Sequence, residues 1–93
     1  PLLIVMFNNR AYYNDWHHQT RMARSRGTDE NRAHIGMDIF GPEPDFATIA
    51  QGMGMWGEGP IDDPEAVGPA IRRALEVVKS GKPALVDIIT RHR

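Results

Sequence analysis

Cysteine is absent from this 93-residue chain, which excludes disulfides, zinc–thiolate centres and cysteine nucleophiles. A dominant charge is missing too. Lys and Arg number 11 against 12 Asp and Glu, so the chain offers no general electrostatic attraction to nucleic acid. Arg21, Arg24 and Arg26 form a local basic cluster, which on a polar segment reads as a solvated face. No apolar run approaches the roughly 20 residues that a bilayer span requires, and nothing reads as a signal peptide. The expectation is a cytoplasmic enzyme with no nucleic-acid and no membrane partner. Repeats and low-complexity segments are also lacking, and the length allows one small domain with a limited buried fraction.

What is present starts at once. Leu2, Leu3, Ile4, Val5, Met6 and Phe7 run without a break into Asn8 and Asn9. A continuous apolar run of this kind predicts a strand buried on both faces, as in parallel sheets. Such a strand standing directly after Pro1 predicts a piece of a longer chain, cut just before its first strand. In open parallel sheets ligands bind at the carboxyl ends of the strands, and the two asparagines stand at such an end with amide oxygens suited to a hard cation.

Further along, Asn14 or Asp15 can cap a helix expected over 14–24, whose weak apolar stripe predicts a surface position. Residues 27–44 carry Gly27, Gly36, Gly41, Pro42 and Pro44 around Ile35, Met37, Ile39 and Phe40. A loop of that length is either functional or ordered from outside the chain. Asp45 opens a short helix over 46–51, with Gly52 as a left-handed stop and a short strand over 55–57. Gly52, Gly54 and Gly57 fit the spacing G-x-G-x-x-G, but a dinucleotide loop needs a strand before it and a helix after it. Here a helix precedes, so the spacing is read as a glycine-capped helix end. Asp62, Asp63, Pro64 and Glu65 start a third helix. Val67, Ile71, Ala74, Leu75 and Val78 mark its face, Pro69 is a point of displacement or kinking, and Gly81 closes it. Residues 84–89 are a second buried strand in which Asp87 should face an edge or a polar partner. The alternation predicts an α/β fold, half of a doubly wound parallel sheet with flanking helices.

For chemistry, the asparagine pair has two readings: closure of a turn, or donation of an amide oxygen and a nearby backbone carbonyl to Mg²⁺, which favours octahedral oxygen coordination. Two neutral ligands bind such an ion weakly, so a carboxylate and a diphosphate must join them. His17 and His18 are neighbours on a helix and do not share a face, so they read as an exposed pair, and His34 as a surface histidine. Tyr12 and Tyr13 either line the crevice or fill core space.

The stretch Val5-Met6-Phe7-Asn8-Asn9-Arg10-Ala11-Tyr12 resembles the close of the thiamine-diphosphate-binding motif, which opens with Gly-Asp-Gly and ends with Asn-Asn after an apolar strand. The later text agrees: Pro44-Asp45-Phe46-Ala47-Thr48-Ile49-Ala50-Gln51-Gly52-Met53-Gly54, then Asp63-Pro64-Glu65, then Gly81-Lys82-Pro83-Ala84-Leu85-Val86-Asp87. Over nearly its whole length the chain is similar to the C-terminal domain of acetolactate synthase-like and 2-oxo-acid decarboxylase enzymes, and 1–93 is expected to be the C-terminal part of that domain. The resemblance implies thiamine diphosphate and Mg²⁺ as cofactors, a 2-oxo acid as substrate and a homodimer or homotetramer as the assembly. It implies that Asn9 gives its side-chain oxygen, and Ala11 its backbone carbonyl, to the cation, while Asn8 supports the turn and Tyr12 borders the cofactor. Asp15 stands where pyruvate decarboxylases of this family carry an acidic residue near the substrate, and it reads equally as a helix-capping acid. FAD is carried by some acetolactate synthase-like relatives, though nothing in this chain indicates it. The Gly-Asp-Gly half and the glutamate that activates the cofactor lie outside the stretch. A second expectation is a non-catalytic half-domain serving packing or oligomer assembly.

Overall fold

In the computed structural model, which describes residues 1–91, the elements run β1 (Leu3–Asn8), α1 (Tyr13–Arg26), a 3₁₀ turn (Glu30–Arg32), α2 (Phe46–Gly52), β2 (Trp56–Ile61), α3 (Pro64–Lys79) and β3 (Ala84–Ile89). They divide into two compact units, Pro1–Asn8 with Asp45–Arg91, and Asn9–Pro44.

The first unit is a three-stranded, fully parallel sheet in the order β1-β3-β2. Its register explains the layers. Ala84, Val86 and Ile88 point to one face, where they join Ala70 and Ala74 of α3 and Ile61 in the buried core, with Leu3, Val5 and Trp56 packed against it. Gly57 pairs with Leu85 on the opposite face, and a Cβ at Gly57 would overlap the Ala47 carbonyl of α2. The two helices therefore cover opposite faces, the expected α/β arrangement. Alanines at the contact points let α3 approach closely, since both are fully buried. Asp63 caps α3 by accepting from the Glu65 N–H at 3.0 Å, with Pro64 at the first helical position. Pro69 lies within the helix.

Several expectations change. The strand expected to be buried on both faces is an edge strand, with Ile4 38% and Phe7 74% exposed. β2 runs well past 57 to Ile61, because Gly59, at φ 139°, passes so close to β3 that a Cβ would lie 2.6 Å from the Asp87 carbonyl oxygen. The register shifts there, and Pro60, which cannot donate to a ladder, is accommodated on this edge strand. Gly52 is the last residue of α2, and Gly54 takes the left-handed conformation instead. Strand follows helix across Gly52, Gly54 and Gly57, so the dinucleotide spacing is coincidental. Asp87 is on the central strand rather than at an edge. It is fully buried and has a polar partner, the Asn8 amide.

The second unit contains no fully buried side chain among its residues. α1 starts at Tyr13 and has no side-chain cap, so neither Asn14 nor Asp15 caps it. The Tyr12 carbonyl instead accepts the Trp16 N–H at 3.0 Å. Gly27, at φ 65°, closes the helix. The long segment 27–44 makes contacts within its own unit: Ala11 and Asp38 form an antiparallel bridge, and the Arg24 guanidinium donates to both Glu30 carboxylate oxygens, at 3.0 and 2.8 Å.

Candidate functional site

The end of β1 is anchored twice inside the sheet unit. The Asn8 carbonyl accepts from the Thr90 N–H at 2.9 Å. Its side-chain Nδ2 reaches Asp87 Oδ2 at 3.4 Å, at the long end of hydrogen-bonding distance. Asn8 is thus turned into the sheet, 9% exposed, where its amide donates to the fully buried Asp87 carboxylate.

The next residue opens a different structure. Asn9 Oδ1 accepts the Ala11 N–H at 3.0 Å, an Asx turn. Arg10, at its centre, has φ 57°, a left-handed conformation that costs an L-residue roughly 1–2 kcal/mol. That conformation is held by its surroundings. The Arg10 carbonyl accepts from the Ile39 N–H at 2.8 Å, and the Tyr12 N–H donates to the Met37 carbonyl at 2.7 Å. Arg10 also pairs with Glu43, 3.0 Å apart.

The ladder decides where the Ala11 carbonyl points. In an antiparallel pair whose flanking residues make the hydrogen bonds, the central residue turns its own N–H and C=O away from the partner segment. Ala11 is that residue. Its N–H goes to Asn9 Oδ1, so its carbonyl faces the same side as the Asn9 amide oxygen. An amide oxygen has two lone pairs and the Ala11 N–H takes one of them. The turn thus offers two hard oxygen atoms of the kind that suits Mg²⁺ or Ca²⁺. Among the described residues no group of three or more His, Asp or Glu could hold a metal.

The other candidates fall apart from this turn. Asp15 is exposed in the first turn of α1, where its charge favours the helix N-terminus. Tyr12 is 62% exposed. Tyr13 packs edge-on against Trp16, with centroids 5.7 Å apart, and stacks on His17 at 6.0 Å. His18 is exposed. His34 is held structurally, its Nδ1 2.8 Å from the Asn31 carbonyl and its ring 5.9 Å from Trp16. Arg21, Arg24 and Arg26 are exposed. The Arg24–Glu30 hydrogen bonds raise the arginine pKa and hold the Glu30 carboxyl below its ordinary range. An open concavity on α1, lined by His18, Arg21, Met22, Arg24 and Ser25, includes none of the turn residues. Sequence reasoning missed Arg10 and Glu43, whose role depends on a contact 33 residues apart that no local spacing announces. It also missed the Asn8–Asp87 pairing, for which the lone carboxylate inside an apolar strand was the available signal.

A parallel sheet covered by helices on both faces, with a held turn following the carboxyl end of a strand, is an α/β domain of the kind whose ligands bind at strand ends. The family model described as thiamine pyrophosphate enzyme, C-terminal TPP-binding domain, matches residues 1–88, and the chain belongs to that family of thiamine-diphosphate-dependent enzymes. Comparison with curated proteins and comparison with solved structures gave no match. No helix among the described residues is long and apolar enough to cross a membrane.

Proposed function

We propose that this chain is the C-terminal part of the cofactor domain of an acetolactate synthase-like or 2-oxo-acid decarboxylase enzyme, and that it contributes half of a Mg²⁺–diphosphate clamp. The observation that carries this reading is the held turn at 9–11, in which Asn9 Oδ1 accepts the Ala11 N–H and backbone hydrogen bonds to Met37 and Ile39 fix its far side. Asn9 Oδ1 and the Ala11 carbonyl are the metal ligands, Asn8 fixes the strand end that precedes them, and Tyr12 borders the cofactor. Bound thiamine diphosphate supplies the electron sink for decarboxylation or carboligation of a 2-oxo acid. The residues of this chain bind and orient. Asp15, an exposed acid close in sequence to the turn, is the residue of this chain assigned to the substrate side. The enzyme works as a homodimer or homotetramer.

The test is calorimetric titration of the full-length protein with thiamine diphosphate in the presence of Mg²⁺. Asn9→Ala is expected to weaken binding at least tenfold, since the deleted ligand belongs to a charge-neutralising oxygen shell. Unchanged affinity would sink the assignment. A second reading, a half-domain used only for packing or assembly, is favoured by the exposed Ile4 and Phe7 on edge strand β1. It predicts self-association by sedimentation with no response to cofactor or Mg²⁺.

A further inference from the structure

The most strained non-glycine backbone among the described residues lies inside the donor turn: Arg10 is the one described residue other than glycine with positive φ. Nothing in the Arg10 side chain favours that conformation; Asn, Asp or Gly would adopt it more readily. It is therefore imposed by the contacts that hold Arg10 on either side. The backbone contacts are the Ile39 N–H to the Arg10 carbonyl at 2.8 Å and the Tyr12 N–H to the Met37 carbonyl at 2.7 Å. The side-chain contact is the Arg10–Glu43 ion pair at 3.0 Å, with the two side chains 33% and 41% exposed. Asn9 and Ala11 flank Arg10 directly, so a backbone rotation at Arg10 changes the spacing between the Asn9 amide oxygen and the Ala11 carbonyl.

We propose that Glu43, acting through Arg10, is a positioning residue for the oxygen-donor turn, and that residues 37–43 form a clamp which presets the spacing of its two donors. The proposal rests on the metal-binding reading of that turn. Glu43 touches neither donor. It holds the guanidinium of the residue between them, while the ladder at 37–39 holds that residue's backbone. Preorganisation of this kind strengthens cation binding without adding a ligand.

A positioning role and a simple field effect make opposite forecasts. Glu43→Gln removes a negative charge near a cation site and Arg10→Gln removes a positive one. If only the local field matters, the two variants shift affinity in opposite directions. If the pair positions the turn, both weaken binding. The experiment is calorimetric titration of Mg²⁺ into the full-length protein at fixed thiamine diphosphate, with Asn9→Ala as the reference. Both single variants are expected to raise the half-saturating Mg²⁺ concentration about two- to fivefold, the span a partly exposed ion pair can transmit. The charge-swapped double variant, Arg10→Glu with Glu43→Arg, is expected to restore it to within about twofold of the parent. Turnover at saturating Mg²⁺ should change less than the Mg²⁺ requirement. Opposite shifts, or no shift, overturn the positioning role while Asn9→Ala still weakens binding at least tenfold. If Asn9→Ala itself leaves binding intact, the metal-site reading fails and the positioning role with it.

Discussion

The two units of this chain are held by different forces. The sheet unit has a buried apolar core in which Val86, Ala70, Ala74 and Ala84 are fully inaccessible. The unit spanning Asn9–Pro44 buries no residue fully and is closed by a two-residue bridge, an Asx turn and exposed ion pairs. Apolar burial is strong and insensitive to salt and pH, whereas exposed pairs contribute little and are screened. A donor turn carried on the second kind of unit has its geometry specified by hydrogen bonds, and its opening belongs to the low end of the stability range.

The sharpest way to break this contrast is to cut one apolar side chain from each unit. Ile88→Ala, in the core, is expected to cost about 2–5 kcal/mol by chemical denaturation. Ile35→Ala, at a position 66% exposed, is expected to stay within about 0.5 kcal/mol. Comparable losses would show that the second unit has a core of its own. Gly59→Ala should follow at about 1–3 kcal/mol, the usual cost of overpacking. It forces a Cβ against the Asp87 backbone of the central strand and should lower the melting temperature without altering amide exchange in α1 relative to the rest.

The smallest expected effect is acid sensitivity. The hydrogen bonds from Arg24 hold the Glu30 carboxyl below its ordinary pKa, and the backbone and side chain of Thr48 do the same for Asp45. For a carboxyl whose folded pKa is depressed, the stabilisation is fully present above the unfolded value and is lost as pH falls through the folded one. Both contacts should therefore weaken below the usual carboxylate range. Hydrogen-exchange protection at the end of α1, taken relative to the intrinsic exchange rate at each pH, should fall on acidification, and Glu30→Gln should remove that pH dependence. An α1 response that persists in the variant would point to a different titrating group.

Much of the sheet unit was legible from residues alone. The apolar runs at β1 and β3, the Asp63-Pro64 start of α3 and the Asp45 cap of α2 each have a local cause that operates wherever the chain goes. The boundaries that shifted depend on neighbours. β2 extends past Gly57 because Gly59 lies against Asp87, which no local signal near Gly59 reveals. α1 starts without a side-chain cap because the bridge at 37–39 sets the backbone at Tyr12. The paired asparagines drew attention to the turn after β1, but the different contacts the two residues make were only partly readable. Asn8 faces the sheet and Asn9 forms the turn because consecutive residues at a strand end diverge.

By itself the sequence determined the parallel α/β alternation, the starts of α2 and α3 and the membership of the thiamine-diphosphate-binding family, since these rest on periodicity, capping chemistry and ordered motifs. Only the tertiary structure decided that Asp87 is a buried partner of Asn8, that β1 is an edge, and that Arg10 is held left-handed between Asn9 and Ala11. Those facts arise from contacts between residues distant in the chain, and the free energy of such contacts exists only once the chain has folded.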